Sequence, residues 1–209
     1  MNTRALRTID TASTPWTEVY RRLVEIVVPR AIALVSSVDA ERRPNLAPFS
    51  FYTVVSANPP YLAFSPARSG RTGEQKDTLL NIEATREFVV GSVTEAIASK
   101  VNAASANLPH GVSEFAHADL TPVPAHRVAA PLIAESPVNM ECELVEVRSY
   151  GEGPGAGNLV VGKIVLVHLD PDLLDEHGRV LHDRLRAVGR MGGELWVSTQ
   201  GTFPMPRPE

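Results

Sequence analysis

Between Trp16 and Val27 the apolar residues Trp16, Tyr20, Leu23 and Val27 recur every three to four positions, which predicts a helix with one apolar face. Thr14 before Pro15, with Glu18 in the first turn, marks its start, and Pro29 ends it. After Pro29 the period changes. AIALVSSV (31–38) is a short β-branched run and predicts a buried strand. A polar turn over 39–43 leads through Pro44 into a second run, NLAPFSFYTVVSA, which Asn58-Pro59-Pro60 breaks because neither proline can donate to a ladder. YLAFS (61–65) predicts a third strand, followed by the polar loop PARSGRTGEQ, a helix over 77–84 and the strand EFVVGSV. Thr94 is placed to cap a further helix in which Ile97, Val101 and Ala104 share a face. The next stretch, to about Pro137, is proline-punctuated and weakly patterned, as functional or covering loops are. From Val138 the alternation returns with Met140, Cys142 and Leu144. LVVGKIVLVHL (159–169) is the longest strand candidate, and GEGPGAG (151–157) joins the two as a hairpin loop. The tail is loop-like, with a short strand near Trp196.

Roughly six strands against three short helices, with no βαβ rhythm, predict a small closed antiparallel architecture and not a doubly wound sheet. Of the 209 residues 44% are hydrophobic, enough for one ordinary core, and no repeat or linker interrupts them. Residues 1–13 read as a loose arm and 14–209 as a single domain. The formal net charge of −4 gives no electrostatic reason to expect nucleic acid or an anionic membrane as partner. Cys142 is the single cysteine, so neither an intrachain disulfide nor a Cys-x-x-Cys pair can form. The start lacks the apolar stretch of a signal peptide, and no apolar run is long enough to span a bilayer, so a cytoplasmic location is expected.

Several motif-like features carry little. GEGPGAG lies between strands with no helix after it, so it lacks the helix N-terminus that would hold a pyrophosphate. SGRTGEQK lacks the Gly-Lys-Ser/Thr of a phosphate-binding loop. His110, His117, His126, His168, His177 and His182 form no pair at helical ligand spacing, and no metal site is expected. Nothing resembles a nucleophile elbow.

Two longer segments stand out together: PRAIALVSSVDAERRPNLAPFSFYTVVSANPPYLAFSP (29–66) and KDTLLNIEATREFVV (76–90). Their order and spacing resemble the flavin reductase-like, FMN-binding split-barrel family. The resemblance continues in SEFAHADLTPVPA, in ESPVNMECEL and in the closing GRMGGELW…PRP, so it covers nearly the whole chain beyond the N-terminal helix. It implies an antiparallel, Greek-key split β-barrel with flanking helices and bound FMN.

The residue chemistry suits that ligand. Lys76 offers a point charge, and Asp77-Thr78 stand where a helix begins, so backbone N–H groups and the positive dipole end are available to a phosphate. Ser36 and Ser37 at the end of the first strand, and Ser65 at the end of the third, can add hydroxyl donors. In Asn45-Leu46-Ala47-Pro48-Phe49-Ser50, Ala47 lets a flat ring lie on backbone and Pro48 offers a carbonyl without an N–H. Asn45 and Ser50 can pair with polar ring edges. In the family the corresponding segment lines the flavin; an edge strand with proline at a bulge accounts for Pro48 equally well. Arg190-Met191-Gly192-Gly193, followed by Trp196, resembles the family's C-terminal Arg-x-Gly-Gly element. Arg190 there can meet a phosphate or carboxylate, or serve merely as a surface residue on a glycine turn. His182 precedes it by a few residues, close enough to be near the site or simply structural.

What the resemblance implies is a flavoprotein oxidoreductase that passes hydride from NAD(P)H to flavin and on to an acceptor or a partner monooxygenase. It also implies a homodimer with FMN near the subunit interface. The flavin carries the hard chemistry, so no residue is assigned as catalytic. Two alternatives stay open: an FMN-dependent oxidase or reductase acting directly on a small organic substrate, and a non-catalytic flavin-binding module.

Overall fold

A computed structural model describes residues 6–108 and 112–208. The first helix, α1 (Trp16–Ile26), starts after Pro15, whose φ of −52° already suits a helix. Its periodicity was legible, but its burial was not. Val24 is the buried residue of α1, while Trp16, Tyr20, Leu23 and Val27 are 46–58% exposed. The apolar face points away from this chain's core.

The strands β1 (Arg30–Ala31), β2 (Ala33–Val38), β3 (Pro44–Phe49), β4 (Tyr52–Ala57) and β5 (Pro60–Phe64) follow. The run from Pro44 to Ala57 is therefore two strands and not one, broken at Ser50-Phe51. Helix α2 (Asp77–Thr85), β6 (Glu87–Ser92) and α3 (Ala98–Ala103) come next. Thr94 stands before a single 3-10 turn leading into α3; its side chain makes no cap, and its backbone instead bridges Ala187. The mid-chain segment holds the short pieces α4 (Glu114–His117), β7 (Pro122–Val123) and β8 (Leu132–Ile133). The long hairpin β9 (Val138–Ser149) and β10 (Asn158–Leu169), then α5 (His182–Leu185), β11 (Val188–Arg190) and β12 (Trp196–Ser198), complete the chain.

Seven strands form one antiparallel sheet in the order β3-β2-β6-β9-β10-β5-β4. Its two outermost strands, β3 and β4, are consecutive in sequence and joined by only two residues. A flat sheet of this order would hold them many strand widths apart at about 4.8 Å each. The sheet is therefore rolled up until its edges meet at that corner, and no ladder joins β3 to β4. This is a barrel with an open seam, the split barrel the sequence resemblance implied. A three-stranded sheet, β1-β11-β12, stands beside the corner.

Burial on both faces explains the unbroken apolar run of β2. Ala33 and Val35 pack with Phe64, Leu79, Phe88 and Val160 on one side. Leu34 packs with Leu46, Val89, Val101, Phe115 and Ile133 on the other. The rings Phe49, Phe64 and Phe88 form a chain with centroids 5.2 and 5.5 Å apart. Gly162 on β10 makes room for the end of it: a Cβ there would sit 2.3 Å from Phe88 Cζ.

The proline-punctuated segment is a strap over the second cluster, tied down by buried and half-buried polar side chains. Glu141 accepts the N–H groups of His126, Arg127 and Val128, and Glu87 accepts that of Ala129 at 2.7 Å. Asn139 bonds both the N–H and the carbonyl of Ile133. These ties are needed because the strap has little ladder of its own.

Candidate functional site

The floor of the candidate site is the free edge of β3. Pairing with β2 runs Asn45 to Ser37, Leu46 to Ser36 and Ala47 to Val35. Antiparallel pairs alternate between bonded and non-bonded positions. Leu46 donates its N–H outward, to Glu114 Oε2 at 3.3 Å, so Pro44, Leu46 and Pro48 are the outward positions. Two of the three have no N–H at all. The edge thus presents carbonyls, with its one remaining donor already engaged.

Three adjoining cavities follow this edge. The first is lined by Asp39, Arg43, Pro44, Asn45, Asp77 and Glu114, among others. The second shares Asn45, Asp77 and Glu114 with it and adds Ala47, Pro48, Lys76, Thr78 and residues 104–108 on the far wall. The third shares Pro48 with the second and extends past Ser50 to Tyr20, Arg190 and Trp196, with a volume of about 300 Å³. Together they make an elongated groove along the seam.

Asn45 is the most connected side chain in the groove. Its Oδ1 accepts from Thr78 Oγ1 at 2.8 Å and from Ser37 Oγ at 3.4 Å, and its Nδ2 donates to Glu114 Oε1 at 3.0 Å. Asn81 Nδ2 donates to Ser37 Oγ from behind, at 3.2 Å. This network fixes which way the amide faces. Lys76 is the N-cap of α2 and makes no side-chain cap, so the first turn of that helix faces the groove beside Thr78.

At the other end, Arg30 organises the corner. It is 7% exposed and donates to Val24 O, Val27 O, Met191 O and Ser50 Oγ. Burial, opposed by Tyr20 and reinforced by Arg190, lowers its pKa. Ser50 therefore lines the groove with its hydroxyl already accepting a bond. Arg190 lies over the Trp196 ring at 5.2 Å and donates to Gly193 O. The glycine turn here serves to hold the arginine.

The predicted residues do not all converge. Asn45, Ala47, Pro48, Lys76, Asp77 and Thr78 line one cavity, with Ser50 and Arg190 in the next. Ser37 stands just behind Asn45. Ser36 faces the opposite side of β2, fully buried with its hydroxyl lacking a partner, because neighbouring strand residues point to opposite faces. Ser65 directly follows β5, its N–H bonded to Phe51 O and its hydroxyl beside Gly157, and it lines none of the three cavities. His182 is exposed on α5, also outside it.

Residues 26–188 match the flavin reductase like domain. The chain belongs to that family. Among curated proteins it is 36% identical over 194 residues to the uncharacterized protein YwrF of Bacillus subtilis, covering 91% of this chain and 94% of that one. Among solved structures it resembles nitrilotriacetate monooxygenase component B from Bacillus cereus, with a TM-score of 0.91 and 31% identity, covering 97% of this chain and 100% of that one. It also resembles 2-nitrobenzoate 2-nitroreductase NbaA of Pseudomonas fluorescens, with a TM-score of 0.86 and 27% identity over 97% and 96% of the two chains.

Reasoning from sequence missed several residues of this flavin reductase-like groove. Glu114 comes from a segment with no strong pattern, and Tyr20 reads from the sequence only as part of one apolar helical face. Asn81 had a signal: a polar residue three places after Thr78 and next to Ile82, on the side of α2 that is buried. Spacing along the sequence also gave no sign of one cluster. His126, Glu141 and His168 come together from three separate elements, with one candidate ligand atom each, all within 4.8 Å of one another. Ligand sets assembled across a sheet carry no short-range spacing. Among the described residues no helix is long and apolar enough to cross a membrane.

Proposed function

We propose that the protein is an FMN-binding oxidoreductase that accepts hydride from NAD(P)H. The observation that carries this reading is the single groove joining Asn45, Ala47, Pro48, Lys76 and Thr78 at one end to Arg190 and Trp196 at the other. It offers a cation and a helix N-terminus to a phosphate, a donor-poor backbone edge to a flat ring, and a fixed amide between them.

Bound FMN supplies the hydride-accepting ring. Lys76 and the backbone N–H groups of the first turn of α2 would hold the phosphate, and Asn45, oriented by Ser37, Thr78 and Glu114, would meet a polar edge of the ring. Ala47, with its small side chain, and Pro48, with no N–H, line the cavity where that ring would lie. Arg190, Tyr20 and Trp196 border the cavity of about 300 Å³ from which the nicotinamide approaches. No residue of the groove is required to move a proton during the transfer.

The electron acceptor is an organic molecule or a partner monooxygenase, as the name of the Bacillus cereus protein suggests. Direct reduction of a small aromatic substrate is the second reading, favoured by the aromatic and cationic lining of the Arg190 cavity and by the likeness to a nitroreductase. The exposed apolar residues of α1 and of β4, Val54 and Val55 among them, provide the surface for a homodimer.

Purified protein should be yellow, and NADH or NADPH should bleach it under anaerobic conditions. A colourless protein whose thermal midpoint ignores FMN would overturn flavin binding. A yellow protein that neither nicotinamide bleaches would overturn hydride transfer while leaving binding intact.

A further inference from the structure

We propose that His126, Glu141 and His168 form a divalent-metal site that clamps the strap to the β9–β10 hairpin. It is independent of the flavin groove. The three residues are 15 and 27 positions apart in sequence and come from the strap, β9 and β10. Glu141 and His168 meet because Glu141 opposes Leu166 across the ladder, which leaves His168 on the same face two residues further on. His126 is brought in by its own backbone, whose N–H donates to Glu141 Oε1 at 3.0 Å.

The donor set is that of a borderline cation such as zinc: two imidazoles and one carboxylate, with a further position left to water. Glu141 is fully buried, His168 partly buried and His126 exposed, so the site has a buried base and an open mouth. The carboxylate is already aimed. Its Oε2 accepts from the N–H groups of Arg127 and Val128, the kind of outer hydrogen bonding that orients a metal-bound carboxylate. The His126 and His168 rings meet edge to face at 4.9 Å.

Tetrahedral bonds of about 2.0–2.1 Å place neighbouring ligand atoms roughly 3.3–3.4 Å apart. His168 Nε2 and Glu141 Oε1 are now 2.6 Å apart, sharing a hydrogen, and no pair in the set exceeds 4.8 Å. Metal entry therefore replaces that hydrogen, opens one pair by under an ångström, and turns the exposed His126 ring inward. His168 then binds the metal as a neutral imidazole through Nε2 and carries its one ring hydrogen on Nδ1, so a proton leaves for solvent only from a ring that was doubly protonated.

Equilibrium dialysis of tag-free protein against zinc chloride, followed by elemental analysis, should find one zinc per chain. At zinc about 100-fold above its dissociation constant, the thermal midpoint should rise by roughly 5–10 °C. His126→Ala removes a ligand but leaves the backbone N–H that ties the strap to Glu141, so it should fold normally in chelator. Its zinc affinity should fall on the order of 100-fold or more. His168→Gln keeps an N–H for the carboxylate and should lose zinc in the same way. No zinc above background in the unmodified protein, or equal binding by either variant, overturns the site.

Discussion

Gly162→Ala tests whether the core and the groove are mechanically connected. The added methyl would stand 2.3 Å from Phe88 Cζ and 2.8 Å from Cε1, against an ordinary carbon–carbon contact of about 3.5–4.0 Å. An overlap above one ångström must be relieved, and Phe88 is fully buried, so its ring cannot swing into solvent. It must push on Phe64, which lies against Phe49 at the end of the groove strand. Overpacking of this kind costs about 1–3 kcal/mol. For a chain of this size that is a fall in thermal midpoint of roughly 2–12 °C. The assay is thermal or urea unfolding of wild type, Gly162→Ala, Phe88→Leu and the double variant. Phe88→Leu alone should destabilise through its cavity, yet the double variant should be more stable than the sum of the singles predicts, because the smaller side chain makes room for the methyl. FMN affinity should fall in Gly162→Ala and recover in part in the double variant. Additive stabilities, or a Gly162→Ala midpoint within one degree of wild type, would refute the packing argument.

Other outcomes follow from the groove and the strap. Lys76→Ala should weaken FMN binding more than NADH binding, by on the order of tenfold, in fluorescence titrations; unchanged FMN affinity would remove Lys76 from the phosphate end. Thr78→Val takes away the hydroxyl that bonds Asn45 at 2.8 Å, so FMN affinity should drop while the thermal midpoint falls by only a few degrees, about 1 kcal/mol. Glu141 is buried, which favours the neutral acid, but hydrogen bonds from His126, His168, Arg127 and Val128 overcome this and hold its pKa below the usual range. Its stabilisation is therefore complete above the unfolded value of about 4.3 and is lost as pH falls through the lower folded value. Glu141→Gln should lower stability at neutral pH and flatten that acid limb; an acid limb identical to wild type would show that other carboxylates govern it.

The strands and the long hairpin were legible because period-two alternation and proline breaks are local signals. The corner at Ser50-Phe51 was not, since nothing in that run reports that its two halves pair with different neighbours. The groove residues Asn45, Ala47 and Pro48 could be read as a set because they share one strand. Ser36 and Ser37 were read together for their side chains' chemistry, but strand geometry sends them to opposite faces. Trp16, Tyr20 and Leu23 satisfied the helical period, and periodicity says nothing about what covers a face. Glu141 stands in the strand as one of the polar alternates between Met140 and Cys142, and alternation does not report that it is fully buried as the anchor of the strap.

Most open sheet edges invite another strand, because their unpaired N–H groups recruit carbonyls from any extended chain. Along β3 the outward donors are absent at Pro44 and Pro48 and engaged at Leu46. A passing strand finds nothing there to register against, whereas a small molecule bringing its own donors finds a row of carbonyls. The β3 side of the seam is therefore a poor template for a further strand, and its two prolines leave the edge's carbonyls to a ligand that brings its own donors.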